Sequence, residues 1–176
     1  MRLNLTSFLV IIMTISCSNL FGQTVQSLTV VKLKNGSAII ECKKVKEGKD
    51  IFEKHESDVG EYWITSQTNA SLQAGLKKAK SWAKLNKEHK MAFEKEIIRI
   101  RLTDKKIYEF YKKYISGFSK EAKLIFQGHQ DGSFTLTLTI TDDVVDITLN
   151  TEDGVDDFIK MLQGKSVNKE VDETFH

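Results

Sequence analysis

The chain has no proline. Every break between elements must therefore be set by glycine, asparagine, aspartate and the hydrophobic period. Cysteine is almost as scarce, with Cys17 and Cys42 the two in 176 residues. If Cys17 departs with a leader, Cys42 has no partner within the chain, which excludes a disulfide framework. An excess of one charge is missing as well. The formal net charge is +2, so the molecule as a whole is no electrostatic magnet for nucleic acid or membrane. Tandem repeats and low-complexity blocks are absent. So are a GxSxG elbow, a Walker A loop, a dinucleotide fingerprint and an HExxH pair, and the chemistries those motifs carry are not signalled.

What is present begins with a leader. "MRLNLTSFLVIIMTISCSNLFGQ" opens on cationic Arg2, continues through an apolar core at 5–15, and closes on small and polar residues. That is the three-part order of a secretory signal peptide. The apolar core is too short for a bilayer, which needs about 20 residues. The ending "NLFGQ" resembles bacterial leaders that finish in -FAQ or -FGQ. It implies cleavage after Gly22, export to the periplasm or medium, and Gln23 as the new N-terminus. The alternative places the cut before Cys17, with "TISC" as a lipobox and the protein an outer-membrane lipoprotein anchored through Cys17. That motif lacks the leucine expected three residues ahead of the cysteine. Residues 1–22 are thus expected to be a signal peptide, 23–164 a single α+β domain, and 165–176 a polar tail. A domain of this size buries roughly 70% of its unfolded surface.

The hydrophobic period gives the elements. "LTVVKL-KNGS-AIIECK" reads as a hairpin around a two-residue Asn35-Gly36 turn. That register sets Leu33 opposite Ala38, Val31 opposite Ile40 and Thr29 opposite Cys42. It makes Cys42 a small buried hydrophobe rather than a reactive thiol, with no basic partner beside it. Residues 46–60 are charged and loop-like. A short strand at 61–66 has Tyr62 and Ile64 on one face and Trp63 on the other. A helix is predicted over 69–87, burying Leu72, Gly75, Leu76, Ala79, Trp82, Ala83 and Asn86. A strand at 94–102 follows, with Ile98, Ile100 and Leu102 on one side. The next helix is predicted to start at Thr103 or Asp104 and to bury a stripe of Ile107, Phe110, Tyr111, Tyr114, Ile115 and Phe118. A three-stranded meander comes next. Its first loop is Gln130-Asp131-Gly132, with glycine at the left-handed bulge position. The last helix is predicted over 152–163, burying Val155, Phe158, Ile159 and Leu162, with Gly164 as its stop. The expected fold is α+β, a mainly antiparallel sheet with about three helices packed on one face.

Four features could carry function. "FTLTLTI" alternates strictly, so one sheet face collects Thr135, Thr137, Thr139, Thr148 and Gln127. A recognition surface for a polymer or for ice would look this way, and so would a solvated face of β-favouring threonines. Lys77, Lys80, Lys84 and Lys87 line the outer side of the first long helix. They would suit an anionic surface polymer, or serve as an ordinary solvated stripe. Asp142, Asp143, Asp146, Glu152, Asp153, Asp156 and Asp157 crowd the last third. They miss the EF-hand spacing and fit a turn and a helix N-terminus instead. The histidines are unpaired, although His55, Glu56, Asp58 and His129 could together form a metal site. Two or more imidazoles or thiolates are usual for zinc.

With no catalytic constellation in view, the expected function is binding without chemistry. The protein reads as a small exported envelope module that needs no cofactor. Its partner would be another envelope protein or a cell-surface polymer. Nucleic acid is not expected, and membrane contact only through lipid on Cys17. The alternatives are a metal-dependent hydrolase built on the loop histidines and carboxylates, and a structural lipoprotein.

Overall fold

A computed structural model describes residues 23–24, 27–47, 54–113, 116–143 and 145–165; for 23, 24, 27, 44–47, 54–59 and 116 it describes the backbone alone. The leader, Cys17, Tyr114, Ile115 and nearly all of the polar tail lie outside these residues.

The elements in chain order are β1 (Gln23–Thr24), β2 (Ser27–Lys32), β3 (Ala38–Glu47), β4 (Lys54–Ile64), α1 (Ser66–His89), β5 (Phe93–Asp104) and α2 (Lys105–Tyr111), then a 3₁₀ turn (Ser116–Phe118), β6 (Ser119–Gly128), β7 (Phe134–Ile140), β8 (Val145–Leu149) and α3 (Glu152–Gln163). They form an α+β fold. β2 to β8 make one antiparallel sheet in chain order, and β1 adds to its far edge in parallel with β8.

The connection from β8 to α3 shows that this sheet is curled. α3 follows β8 directly yet packs on β2, six strands away. A flat sheet would put roughly 29 Å between those strands, and a 12-residue helix spans about 18 Å. The sheet therefore bends around α1, whose buried stripe of Leu72, Gly75, Leu76, Ala79 and Ala83 fills the concavity. Gly75 sits where a Cβ would come within 2.8 Å of Ile98 Cδ1, so the helix axis lies unusually near β5.

Parity in the last meander is as the threonine pattern demands. Leu124 faces Leu138, Phe126 faces Leu136, Leu138 faces Ile147 and Ile140 faces Val145. Those side chains are buried, and Thr135, Thr137 and Thr139 are half-buried on the other side. α3 begins and ends as its sequence indicates, with Thr151 capping and Gly164 left-handed at φ 76°.

Four expectations need correction. The first hairpin is not built on a two-residue turn. Gly36 N–H donates to Leu33 O at 3.0 Å and Gly36 has φ 82°, a type I turn closed by a left-handed glycine bulge. The register moves by one residue, so Val30 faces Ile40 and Leu28 faces Cys42, while Val31 turns to solvent. The described residues of the span 46–60, namely 46–47 and 54–60, are strand: β3 and β4 pair as far as Glu47 and Lys54. α2 buries none of its residues; Phe110, Tyr111 and Phe118 are exposed. Nor does α2 share a face with the other helices. Its Tyr108 stacks on Trp63, which points away from Tyr62 and Ile64, so α2 lies on the outer side of the sheet. The apolar i, i+3, i+4 pattern marked a helix but overran it: of the stretch from Thr103 to Phe118, Thr103 and Asp104 belong to β5 and the helix is Lys105–Tyr111, too short to lay that stripe on the sheet.

Candidate functional site

The threonine face consists of ranks that run straight across the outer sheet. Gln127 faces Thr135; Ile125 faces Thr137, which faces Thr148; Lys123 faces Thr139, which faces Asp146. Two hydroxyls are engaged: Thr139 Oγ1 donates to Asp146 at 2.7 Å, and Thr135 Oγ1 lies 3.0 Å from His129 Nε2. A charged border of Glu96, Arg99, Glu121 and Lys123 closes one side. The surface is polar and neutral at its centre.

The lysine stripe is divided. Lys80 Nζ lies 2.5 and 2.6 Å from the two Asp156 oxygens and ties α1 to α3. Lys77, Lys84 and Lys87 are exposed, and Lys87 borders a shallow depression together with Glu152 and Asp153. The acidic residues are likewise dispersed. Asp143 joins Lys120 and Tyr62, Asp146 joins Thr139, Asp156 joins Lys80 and Asp157 joins Lys160.

The backbone sets His129 apart from the other three residues of the proposed metal set. β4 meets β5 only at Tyr62–Asp104 and Trp63–Thr103. His55, Glu56 and Asp58 lie out along β4 on one side of that junction, and their side chains are not described. His129 lies past Phe93, beyond the opposite end of β5. Among the described residues no group of three or more His, Cys, Asp or Glu could hold a metal ion. Cys42 is buried, and burial pushes its thiol up to about 12, the opposite of what a nucleophile needs.

The site with the geometry of a binding pocket was not foreseen. At the C-terminal end of α1, Trp82, Leu85, Asn86 and His89 meet Met91, Phe93 and Lys95 around a cleft of about 370 Å³. That volume is in the range of small-ligand sites. The floor is aromatic: Trp82 meets Phe93 and Phe126 edge-on with centroids 6.3 and 5.7 Å apart, and Phe126 stacks on Phe93 and Phe134. The rim is apolar and open, with Leu85 51% and Met91 60% exposed. Two ammonium groups stand over the indole, Lys78 at 5.0 Å and Lys95 at 5.6 Å from its centroid. Such contacts are favourable by about 0.5–1 kcal/mol at exposed sites.

A bulge makes this cleft. The β5–β6 register shifts between Glu96 and Ile98, so that Phe93, Lys95, Ile98, Ile100 and Leu102 all share the inner face. Strict alternation from Ile98 would have turned Phe93 and Lys95 outward. The signal in the sequence was the doublet Ile97-Ile98, both of which pack against the core. Asn86 then fixes the walls. It is buried; its amide donates to His129 O at 3.1 Å and Ser133 O at 2.8 Å, and its carbonyl accepts from Met91 N–H at 3.1 Å. An aromatic or apolar body would fit over the floor, and an acidic group would meet Lys95 or His89 at the rim.

Comparison with protein-family models, curated proteins and solved structures finds no match to this chain.

Proposed function

We propose that the protein is an exported, non-catalytic binding module of a bacterial envelope. Its ligand is a small apolar or aromatic group with an acidic head, seated over Trp82. The leader-like residues 1–22 support export. The observation that carries the reading is the cleft itself: an aromatic floor, an open apolar rim and two lysines on the indole, with no nucleophile or metal-ligand cluster among its lining residues. Pockets of this kind bind by apolar burial and use a few polar groups for orientation.

The test is titration with an aromatic anion, anilinonaphthalene sulfonate, followed by its fluorescence. Leu85→Glu with Met91→Glu puts two carboxylates on an exposed rim, so the fold should survive. Affinity should fall by about tenfold or more, from lost apolar contact and charge repulsion. Unchanged affinity in the double variant would remove the cleft as the site.

A second surface is favoured by the parity of β6 to β8. The half-buried rank of Thr135, Thr137 and Thr139, with Gln127 and Thr148, is uncovered by α1 or α3 and offers a polar face to an envelope protein or polymer. Thr137→Lys with Thr139→Lys should then abolish partner capture in a pull-down and leave the cleft titration unaltered. Retained capture would discard this face.

A further inference from the structure

We propose that α2 and the turn after it form a wedge that docks the protein on an anionic lipid surface, independently of any lipid on Cys17. Phe110 is 80% exposed, Phe118 51% and Tyr111 44%. Large apolar groups gathered on a surface mark interaction sites more often than single ones do. Tyr111 joins the other two: Phe110 meets it edge-on with centroids 4.9 Å apart, and it stacks on Phe118 at 6.2 Å.

The cluster is held firmly from behind. Tyr108 stacks on Trp63 at 4.1 Å with 9° between the planes, and Lys105 Nζ lies 2.8 Å from Glu61 Oε1. One side of α2 is therefore bolted to the outer sheet, and the other projects its rings into solvent. A preset projection loses little side-chain entropy on contact.

Shape and charge select the partner. Phe110 and Tyr111 stand at 78° to each other, so they make a ridge and not the flat platform on which a sugar ring stacks. Phenylalanine also has no polar tip to hydrogen-bond a hydroxylated polymer. The exposed charges of α2 and the two residues after it are Lys106, Lys112 and Lys113 against Glu109. Apolar rings beside lysines match a bilayer surface, where rings enter the acyl boundary and ammonium groups meet anionic headgroups. No helix among the described residues is long and apolar enough to cross a membrane, and the contact proposed is a surface one. β5 separates the ridge from the Trp82 cleft by its 12 residues, roughly 40 Å of strand, so a docked molecule would hold its cleft away from the lipid.

The experiment is co-sedimentation of the chain, as recovered from the expressing host, with phosphatidylcholine vesicles with and without phosphatidylglycerol. The wild type is compared with Phe110→Ser/Phe118→Ser and with Lys112→Glu/Lys113→Glu. Residues 1–22, or their removal, are common to all three proteins, so differences between them report on the ridge. The aromatic variant should lose about tenfold or more in partitioning to both kinds of vesicle. The lysine variant should lose its preference for phosphatidylglycerol, as should the wild type at high ionic strength. Equal sedimentation of all three proteins overturns the proposal. So does a wild-type dimer, seen by sedimentation velocity without lipid and abolished by Phe110→Ser/Phe118→Ser, when vesicle binding is unchanged; the ridge would then belong to a second copy. Circular dichroism and thermal melting check that both variants are folded.

Discussion

Asn86 donates to the carbonyl of Ser133 at 2.8 Å, joining the end of α1 to the β6–β7 turn. Asn69, at the other end of the helix, does the same for the β2–β3 turn, donating to Gly36 O at 3.0 Å and also to Leu162 O at 3.2 Å. Both asparagines are buried, and both grip a hairpin with one local design. In each turn a left-handed glycine is preceded by Asn or Asp and followed by Ser. The Asn35 or Asp131 side chain accepts from the backbone and hydroxyl of that serine. Two polar residues in an apolar stripe thus place the sheet on the helix.

Asn86→Ala should be among the most damaging single changes. It removes both side-chain bonds onto the β6–β7 turn, whose carbonyls keep their own backbone donors, and it leaves the Met91 N–H without its acceptor; a polar group left without a partner away from water costs about 1–3 kcal/mol. Urea denaturation should show a loss of about 2–4 kcal/mol, since some strain will relax. The cleft titration should weaken in parallel, because Met91 loses its anchor. A loss below about 1 kcal/mol would mean that water replaces the amide.

Periodicity alone carried much of the fold. The final meander and α3 follow from strict alternation, a glycine bulge and a 3.6-residue stripe that agree with one another. The first hairpin carried Asn-Gly-Ser where the second has Asp-Gly-Ser, a matching signal, but Asn-Gly is also the strongest two-residue turn motif. The turn chosen by the serine-accepting side chain could be told from that motif only by comparing the two hairpins. The bulge at Ile97 is a tertiary choice: an extra inward residue appears when both isoleucines find core contacts, and no local propensity announces it. The cleft was hidden with it, because Phe93 and Lys95 change faces only across that bulge. The exposed rings of α2 were hidden for the opposite reason, since a stripe that fits a buried helix looks the same when nothing covers it.

Asp143 should set part of the acid limb of stability. Burial on its own would raise its carboxyl, but hydrogen bonds from Lys120 and Tyr62 and the Lys120 charge outweigh that and hold it below the ordinary carboxylate value. Its contribution is therefore fully present above the unfolded value, about 3.9, and fades as pH falls through the lower folded one. Asp143→Asn should cost about 1–3 kcal/mol at neutral pH. The gap to wild type should narrow below about pH 4 in urea titrations. A gap that stays constant down to acid pH would show that the carboxylate contributes by shape and not by charge.

The alkaline limb has the reverse sign. Burial raises the Cys42 thiol to about 12. Tyr62 is also raised, by burial first and then by its hydrogen bond to Asp143 and that carboxylate's charge. Each group binds its proton more tightly folded than unfolded, so the stability it contributes is complete below its unfolded value and drains away as pH climbs toward the folded one. For Cys42 the window opens near pH 8.5 and closes near 12, with a slope of up to about 1.4 kcal/mol per pH unit. Cys42→Ala should flatten the curve between about pH 9 and 10, before tyrosine adds its own slope. In the native wild type the thiol should resist Ellman's reagent until the protein unfolds; fast labelling at neutral pH would contradict its burial.

Lys105 bridges two glutamates that face each other. Glu41 and Glu61 are direct partners on β3 and β4, and like charges so placed repel. Lys105 Nζ reaches Glu61 at 2.8 Å and Glu41 at 3.6 Å, and its own proton is held more tightly, first by the Glu61 hydrogen bond. Lys105→Met should leave the core intact, because all three groups are partly solvated and such a pair is worth less than about 1 kcal/mol. The effect should be local: proteolysis within α2 should quicken by roughly threefold as that helix detaches more often. Adding Glu61→Gln should recover part of the protection by removing one of the facing charges, and raised salt should shrink the difference between Lys105→Met and wild type. If α2 were equally protected in Lys105→Met, the Tyr108–Trp63 stack alone would hold it, and the ion pair would be incidental to the placement of Phe110.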